Sequence, residues 1–226
     1  IENLPQFLDA PGEFYLDAPN GVLYLRLAEG MNPNNAHLEF TNEVDKILIY
    51  SQSHIEINGL GFAFGQGTMI DMQNSVTDLH VHHCEFRNVM DVCIKGAQNI
   101  DQEKFHTMDR VSVTDCIFQD IGTSAILFDG HDGKWHQRDG WEDAFRGELI
   151  EVDILRNRTL RTGIRHRSNR WSNVPAIRAV RFERGEIAGN IVERCFGSGI
   201  MVLGGKEGNL QSYESRSLEM PLIRIF

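Results

Sequence analysis

Five carboxylates, two tryptophans and two histidines lie in one polar, aperiodic segment, residues 129–143. A glycosidase needs two carboxylates near the scissile bond, tryptophan rings cover the apolar faces of sugars, and histidines can assist proton transfer. The segment therefore predicts a sugar-hydrolysing site, with an acidic, solvated loop as the alternative. The candidate catalytic residues are Asp129, Asp132, Asp139, Glu142 and Asp143, and the candidate substrate-binding residues are Trp135, Trp141, His131 and His136.

A second candidate site is the short run Arg165, His166 and Arg167, which combines two cations with a possible base. Enzymes that cleave uronate-containing glycans by elimination need both groups, a cation for the substrate carboxylate and a base for the proton. The run lies within an arginine-rich stretch that holds nine arginines between Arg156 and Arg184. The alternative interpretation is that these arginines point outward or pair with nearby carboxylates.

Three histidines at positions 80, 82 and 83 suggest a metal site at first sight. On a strand, His80 and His82 share one face, and a metal would need a third ligand from a neighbouring strand, such as Glu56. We favour surface histidines and predict no metal site. Ca²⁺ binding is possible at residues 129–133, which resemble a calcium loop but lack its full twelve-residue pattern. No other cofactor is predicted.

Charge and hydropathy restrict the partners of the chain. The formal net charge of −10 and the pI of about 5.3 make non-specific nucleic-acid binding unfavourable. No apolar run is long enough to span a membrane, and the oligomeric state is left open. The chain starts without Met, shows no signal peptide and ends inside a strand-like segment, 221–226. Because an uncovered end exposes unpaired strand edges, we expect the natural protein to extend beyond both ends.

Short alternating apolar patterns recur four times without gaps and indicate the fold. In each copy one aligned position precedes an isoleucine by ten residues, and the pairs are Leu60 and Ile70, Cys84 and Ile94, Cys116 and Ile126, and Asn190 and Ile200. Repeats of about 20–50 residues are typical of solenoids, and alternating strands place one face inward. The sequence therefore predicts an all-β parallel β-helix. Cys84 and Cys116 should stack inside it as thiols, although a disulfide is sterically conceivable.

Two regions are predicted along the chain. Residues 1–46 form an N-terminal hairpin and lead-in, with strands at 13–16 and Val22–Leu25 around a Pro/Asn/Gly turn. Residues 47–226 form the helix coils, with an inserted loop near 131–150 that interrupts them. The coils become irregular between 151 and 184.

The segment LDAPGEFYLD at 8–17, followed by GVLYL at 21–25, resembles a segment that precedes the coils in bacterial right-handed parallel β-helix glycoside hydrolases and their uncharacterised relatives. The resemblance implies a right-handed helix of the pectin-lyase-like kind and a secreted, periplasmic or cell-surface protein that degrades complex polysaccharide or oligosaccharide chains. No catalytic motif of these enzymes can be matched residue by residue. We therefore expect a glycoside hydrolase, and a polysaccharide lyase or a non-catalytic glycan-binding or adhesin-like β-helix remain the alternatives.

Overall fold

The computed structural model shows an all-β protein, with 60% of the residues in strands and 3% in helices. The described residues are 5–38, 47–98, 106–129, 131–132, 146–164, 175–180, 182–203 and 212–218. The chain divides into two compact units, Ile1–Phe40 and Thr41–Phe226. The all-β class predicted from the sequence is therefore confirmed, and the larger unit is built from parallel sheets.

The first unit contains the predicted hairpin. Strand β1 (Phe14–Asp17) pairs antiparallel with β2 (Val22–Leu25). The carboxylate of Glu13 accepts hydrogen bonds from the backbone nitrogens of Asp9 and Ala10 at 2.8 and 2.6 Å, which fixes the turn that leads into β1. Single-turn 3-10 helices at Pro5–Phe7 and Pro33–Asn35 complete the described part of this unit.

The second unit is a succession of short strands. In chain order they are β3 (Ile47–Tyr50), β4 (Ser53–Asn58), β5 (Gly61–Ala63), β6 (Ile70–Gln73), β7 (Val76–His82), β8 (Glu85–Val89), β9 (Ile94–Gln98), β10 (His106–Thr114), β11 (Ile117–Ile121), β12 (Ile126–Asp129), β13 (His131–Asp132), β14 (Arg146–Leu155), β15 (Arg158–Thr162), β16 (Ile177–Val180), β17 (Phe182–Cys195), β18 (Ile200–Leu203) and β19 (Ser212–Leu218).

These strands form three parallel ladders. The first ladder runs β4-β7-β10-β14-β17, the second runs β5-β8-β11-β15-β17, and the third runs β3-β6-β9-β12-β16-β18. Because the long strand β17 belongs to both of the first two ladders, these join into one eleven-stranded sheet that also includes β13 and β19. Along the chain, successive strands belong to the third, the first and the second ladder, and this order repeats. Each strand therefore pairs with the equivalent strand of the preceding repeat.

The strand register confirms the sequence alignment of the repeats. One position of the third ladder is isoleucine in all six strands: Ile47, Ile70, Ile94, Ile126, Ile177 and Ile200. In the second ladder the rings of Phe62, Phe86 and Phe118 stack with centroid separations of 4.6 and 4.9 Å. Such ladders of like side chains fill the core between the sheets, since alternate residues of each strand point inward.

The corner between the first and second ladders repeats at the level of the backbone. Gly59, His83, Asp115, Arg156 and Gly189 occupy equivalent positions, and all five have a φ between 50° and 70°. Glycine adopts this left-handed conformation at no steric cost, whereas His83, Asp115 and Arg156 must be held in it by the surrounding structure. The recurrence shows that the chain changes direction in the same way in every repeat.

At four of the five corners the residue that follows points into the core. These residues are Cys84, Cys116, Asn157 and Asn190, each no more than 1% exposed, whereas Leu60, which follows Gly59 in the first repeat, is 48% exposed. The Asn157 amide donates to the Val113 carbonyl at 2.9 Å and accepts from the Cys116 nitrogen at 3.0 Å. Asn190 likewise donates to the Ile154 carbonyl at 2.7 Å and accepts from the Asn157 nitrogen at 3.0 Å. Each asparagine amide thus satisfies backbone groups of the neighbouring repeat at the turn.

All four cysteines are free thiols, and two of them stack at this corner as predicted. Cys84 and Cys116 bond through their sulfurs to the carbonyls of the preceding strand residues rather than to each other. Burial raises the pKa of Cys116 to about 12 and that of Cys93 well above its usual value. These cysteines therefore serve as small core side chains.

A buried hydroxyl in the second ladder predicts a stabilising substitution. Thr159 is fully buried between Phe118 and Val192 in the strand register, and within the described ranges its Oγ1 makes no hydrogen bond. Thr159→Val keeps the shape and removes the unpaired polar atom, so we expect the free energy of unfolding to rise by about 1 kcal/mol. Urea unfolding at constant m-value measures it. Thr77→Val, at a partly exposed position of β7, should change little, and a loss of stability in Thr159→Val would contradict the expectation.

Candidate functional face of the first ladder

The outward face of the first ladder carries a continuous row of polar side chains. One register position holds Glu56, His80, Ser112, Asp153 and Glu186, contributed by β4, β7, β10, β14 and β17 in order. Adjacent strands of a sheet lie about 4.8 Å apart, so each member of the row is close to the next. The row places a hydroxyl, an imidazole and three carboxylates along one line, and we call it the polar row.

Ser112, His80, Asp78 and His54 form a chain of hydrogen bonds across three strands. The Ser112 hydroxyl lies 2.7 Å from Nδ1 of His80, and Nε2 of His80 lies 3.1 Å from Oδ1 of Asp78. The second oxygen of Asp78 lies 2.5 Å from Nδ1 of His54. Asp78 and His54 both have a positive φ, and this conformation recurs at Arg110 on the next strand. The repeated left-handed position thus brings these side chains toward the polar row.

The hydrogen-bond partners determine which nitrogen of His80 carries the proton. A carboxylate can only accept, so Nε2 of His80 must donate to Asp78. In a neutral imidazole the other nitrogen is then an acceptor, and Nδ1 receives the hydroxyl proton of Ser112. Hydrogen bonds from His54 and then His80 hold the pKa of Asp78 below its usual range, which keeps this carboxyl ionised. The Ser112 hydroxyl therefore lies beside a possible base, His80, and the Asp78 carboxylate fixes the tautomer of that base.

A second imidazole–carboxylate contact joins His82, two residues after His80 on β7, to Glu56 of the polar row on β4. Nε2 of His82 is 2.7 Å from Oε1 of Glu56, and its Nδ1 is 3.0 Å from that of His83 at the corner. As predicted, His80 and His82 share one face of β7, and the left-handed residue His83 begins the corner that follows. Among the residues the structure describes, no group of three or more His, Cys, Asp or Glu side chains is arranged to hold a metal ion.

Two carboxylates of the polar row face each other on neighbouring strands. Asp153 pairs with Glu186 in the β14–β17 register, and Oδ1 of Asp153 accepts a hydrogen bond of 2.9 Å from the Glu186 nitrogen. Glu186 is exposed and Asp153 is half-buried. One carboxylate is thus fixed as an acceptor, while the other is open to solvent and to a ligand.

The described arginines of the arginine-rich stretch are mostly paired with carboxylates. Arg156 binds Asp115 through two contacts of 2.7 and 2.8 Å, Arg158 binds Glu193 at 2.8 Å, and Arg161 binds both oxygens of Asp120. Arg184 in turn binds Glu151 at 2.9 Å. The outward, paired interpretation is therefore confirmed for these four.

Ion pairing also changes the titration of two aspartates in this stretch. The guanidinium of Arg156 holds the pKa of Asp115 below its usual range, and that of Arg161 does the same for the pKa of Asp120. Both carboxyls are therefore ionised at neutral pH and occupied by their arginine partners. Asp115 and Asp120 are consequently poor candidates for proton transfer to a ligand.

The structure describes the backbone of three residues predicted for the inserted loop. Asp129 ends β12, where it pairs with Val180, and β13 contains His131 and Asp132. β13 pairs antiparallel with the start of β14, so the two ends of the insertion lie side by side at the first ladder. The remaining predicted site residues lie outside the described residues; they are Trp135, His136, Asp139, Trp141, Glu142, Asp143, Arg165, His166 and Arg167.

The sequence patterns do not point to Ser112, Asp78, Asp153 or Glu186 as functional residues. One signal could have found four members of the polar row: Glu56, His80, Ser112 and Glu186 each stand one residue after an equivalent position of the repeat, at Ile55, Leu79, Val111 and Gly185. Reading that outward column would have placed imidazole, hydroxyl and carboxylate side by side. Asp153 required recognition of a further copy of the repeat that the aligned four did not include.

The sequence matches no protein-family model, and comparison with curated proteins and with solved structures finds no significant match. The described portion of the chain contains no helix with the length and apolarity needed to cross a bilayer. The candidate site must therefore be judged by its own geometry.

Proposed function

We propose that the second unit is a right-handed parallel β-helix. Three features support this: three parallel ladders visited in a fixed order, side chains stacked at equivalent register positions, and left-handed corners that recur in each repeat. A right-handed path follows from the strong preference of parallel crossover connections for that hand. The resemblance of the segment at 8–25 to β-helix glycoside hydrolases points the same way.

We propose that this protein is a carbohydrate-active enzyme, a glycoside hydrolase that acts on complex polysaccharide or oligosaccharide chains. The observation that carries the proposal is the opposed pair Asp153 and Glu186 on an extended polar face. Adjacent strands lie about 4.8 Å apart, so two carboxylates at this register position can both reach one glycosidic bond of a glycan bound along the row, as the carboxyl pair of a glycosidase must. Long polar faces of stacked strands also match the shape of an extended glycan.

The two carboxylates have different roles in this proposal. Asp153 is held as an acceptor by the Glu186 nitrogen, which suits the ionised group that attacks or stabilises the sugar. Glu186 is exposed and suits the group that delivers a proton to the leaving oxygen. His80 and Ser112, on the neighbouring strands of the row, offer hydrogen bonds to sugar hydroxyls.

Substitution of this pair tests the proposal. The chain is incubated with a panel of neutral and uronate-containing glycans, and new reducing ends and ultraviolet absorbance of unsaturated uronates are recorded together. We expect reducing ends without absorbance, and a loss of at least about 100-fold in both Asp153→Asn and Glu186→Gln. Glu183→Gln, an exposed carboxylate on the same strand as Glu186, is the matched control.

Other outcomes would assign the activity elsewhere. If Asp153→Asn and Glu186→Gln keep full turnover, the pair is not catalytic, and the five carboxylates predicted at 129–143 become the next variants. Absorbance that rises with the reducing ends would indicate elimination and direct attention to Arg165, His166 and Arg167. Glycan binding without turnover would indicate a binding or adhesin-like protein. A secreted, periplasmic or cell-surface location is part of the same proposal and follows from the polymeric substrate.

A further inference from the structure

We propose that Ser112, His80 and Asp78 form a second catalytic centre that hydrolyses acyl esters. The three residues combine a nucleophile, a base and a carboxylate that orients the base, with contacts of 2.7 Å and 3.1 Å between successive members. This is the logic of the serine hydrolases, in which the triad is recognised by geometry and roles rather than by fold or sequence order. Here the three residues come from two adjacent strands of the first ladder, β7 and β10.

The hydrogen-bond directions favour the reaction. Nε2 of His80 donates to Asp78, so Nδ1 is free to take the proton of the Ser112 hydroxyl. His54 binds the other oxygen of Asp78 and thereby restricts rotation of this carboxylate. Two different histidines therefore bind the Asp78 carboxylate, whereas an aspartate on a strand surface can be hydrogen-bonded by water alone.

The surroundings leave the nucleophile accessible. The His80 side chain is 48% exposed, and Ser112 is half-buried on an outward face. Backbone N–H groups of a central strand are taken up by the ladder, so the oxyanion must be stabilised by a side chain. Arg110 approaches the group: its Nη1 donates to Oδ2 of Asp109 at 2.8 Å and its Nε lies 4.0 Å from Oδ1 of Asp78. The remaining N–H groups of its guanidinium are the donors that we assign to the oxyanion.

The reaction has two steps, acylation of Ser112 and hydrolysis of the acyl-serine. Oγ of Ser112 attacks the acyl carbon of the ester while its proton moves to Nδ1 of His80. The bond from the acyl carbon to the alcohol oxygen then breaks, the alcohol leaves with that proton, and the acyl group stays on Ser112. In the second step water attacks the acyl-serine, His80 takes a proton from the water and returns it to Oγ, and the carboxylic acid is released.

The position of the centre indicates its natural substrate class. Ser112 lies directly opposite Asp153 in the strand register, so both proposed sites share the polar row. A glycan bound along the row would bring acyl groups esterified to its hydroxyls within reach of Ser112. The substrate class is therefore an O-acylated glycan; this part rests on the proposed function, whereas the chemistry of the centre does not.

The experiment distinguishes ester hydrolysis at Ser112 from hydrolysis of a glycan. The full chain is assayed with p-nitrophenyl acetate, which contains no sugar, and is labelled with a fluorophosphonate probe whose site is located by mass spectrometry. We expect labelling at Ser112, and a loss of ester hydrolysis of at least about 100-fold in both Ser112→Ala and His80→Gln. Ser53→Ala removes an exposed serine of the adjacent strand β4 and serves as the matched control. Circular dichroism checks that each variant is folded.

Each result decides the proposal. Labelling at Ser112 with loss of hydrolysis in the two variants supports the ester hydrolase, even if no glycan in the panel is cleaved. A parent chain that neither hydrolyses the ester nor takes the label overturns it, as does a Ser112→Ala variant that matches Ser53→Ala. Release of acetate from an acetylated xylan, but not of reducing ends, would retain the ester hydrolase and reject the glycoside hydrolase.

Discussion

Asn157→Leu should lower the free energy of unfolding by about 4 kcal/mol. The Asn157 side chain is 1% exposed and makes three hydrogen bonds: to the Val113 carbonyl, to Oδ1 of Asn190 and from the Cys116 nitrogen. Each bond contributes about 1 kcal/mol, and the buried Cys116 N–H would be left without a partner, which adds about 1–3 kcal/mol. Leucine has the same branched skeleton of four side-chain heavy atoms and is not smaller than asparagine, so the substitution leaves no cavity and the loss reports on the hydrogen bonds.

The measurement is the midpoint of urea unfolding at an unchanged m-value. Asn58→Leu, at an exposed position of β4 two residues after Glu56, is the control and should change stability by no more than about 0.5 kcal/mol. A variant Asn157→Leu as stable as that control would mean that apolar packing replaces the hydrogen bonds at this corner.

Gly185→Ala should cost about 4 kcal/mol or more, because two independent constraints act on that position. Its φ is +143°, a conformation that side chains rarely adopt, and a Cβ would lie 1.9 Å from the carbonyl oxygen of Val152. The clash is with backbone on the paired strand β14, so no side chain can rotate away. Relief requires β17 to move away from β14, which would disturb the polar row on both strands.

A second glycine separates the two constraints. Gly59 also has a positive φ, +68°, but a Cβ there would meet nothing within 4 Å. His83, Asp115 and Arg156 adopt the same conformation at the equivalent corner. Gly59→Ala should therefore lower the free energy of unfolding by only about 1 kcal/mol. Thermal unfolding measures the loss of stability in both variants. Equal losses in Gly185→Ala and Gly59→Ala would show that the positive φ alone determines the cost and that β17 can move away from β14 without further loss.

The repeat register could be predicted from the sequence because it depends on local patterns. Each strand is specified by alternation of apolar and polar residues, and a shift by one residue would expose the whole apolar set. Ile70, Ile94, Ile126 and Ile200 could therefore be aligned correctly from these patterns alone. The hairpin β1–β2 was likewise predictable from its turn residues.

One repeat escaped the alignment, for a physical reason. In the aligned copies a corner residue and an isoleucine are ten residues apart, but Asn157 and Ile177 are separated by twenty. An insertion between two strands leaves their pairing unchanged, since each strand finds its partner through the register and not through the length of the connection. The strand pairs β11–β15 and β12–β16 show that both ends of this repeat keep their places.

Periodicity and turn chemistry were sufficient to predict the all-β class, the hairpin, the inward ladders and the outward placement of His80 and His82. Which outward side chains come into contact could be read only from the folded chain. Ser112 and His80 are 32 positions apart, and Asp153 and Glu186 are 33 apart. Their contacts arise from pairing between strands of successive repeats, which the spacing of charges along the chain does not encode when the lengths of the intervening insertions vary.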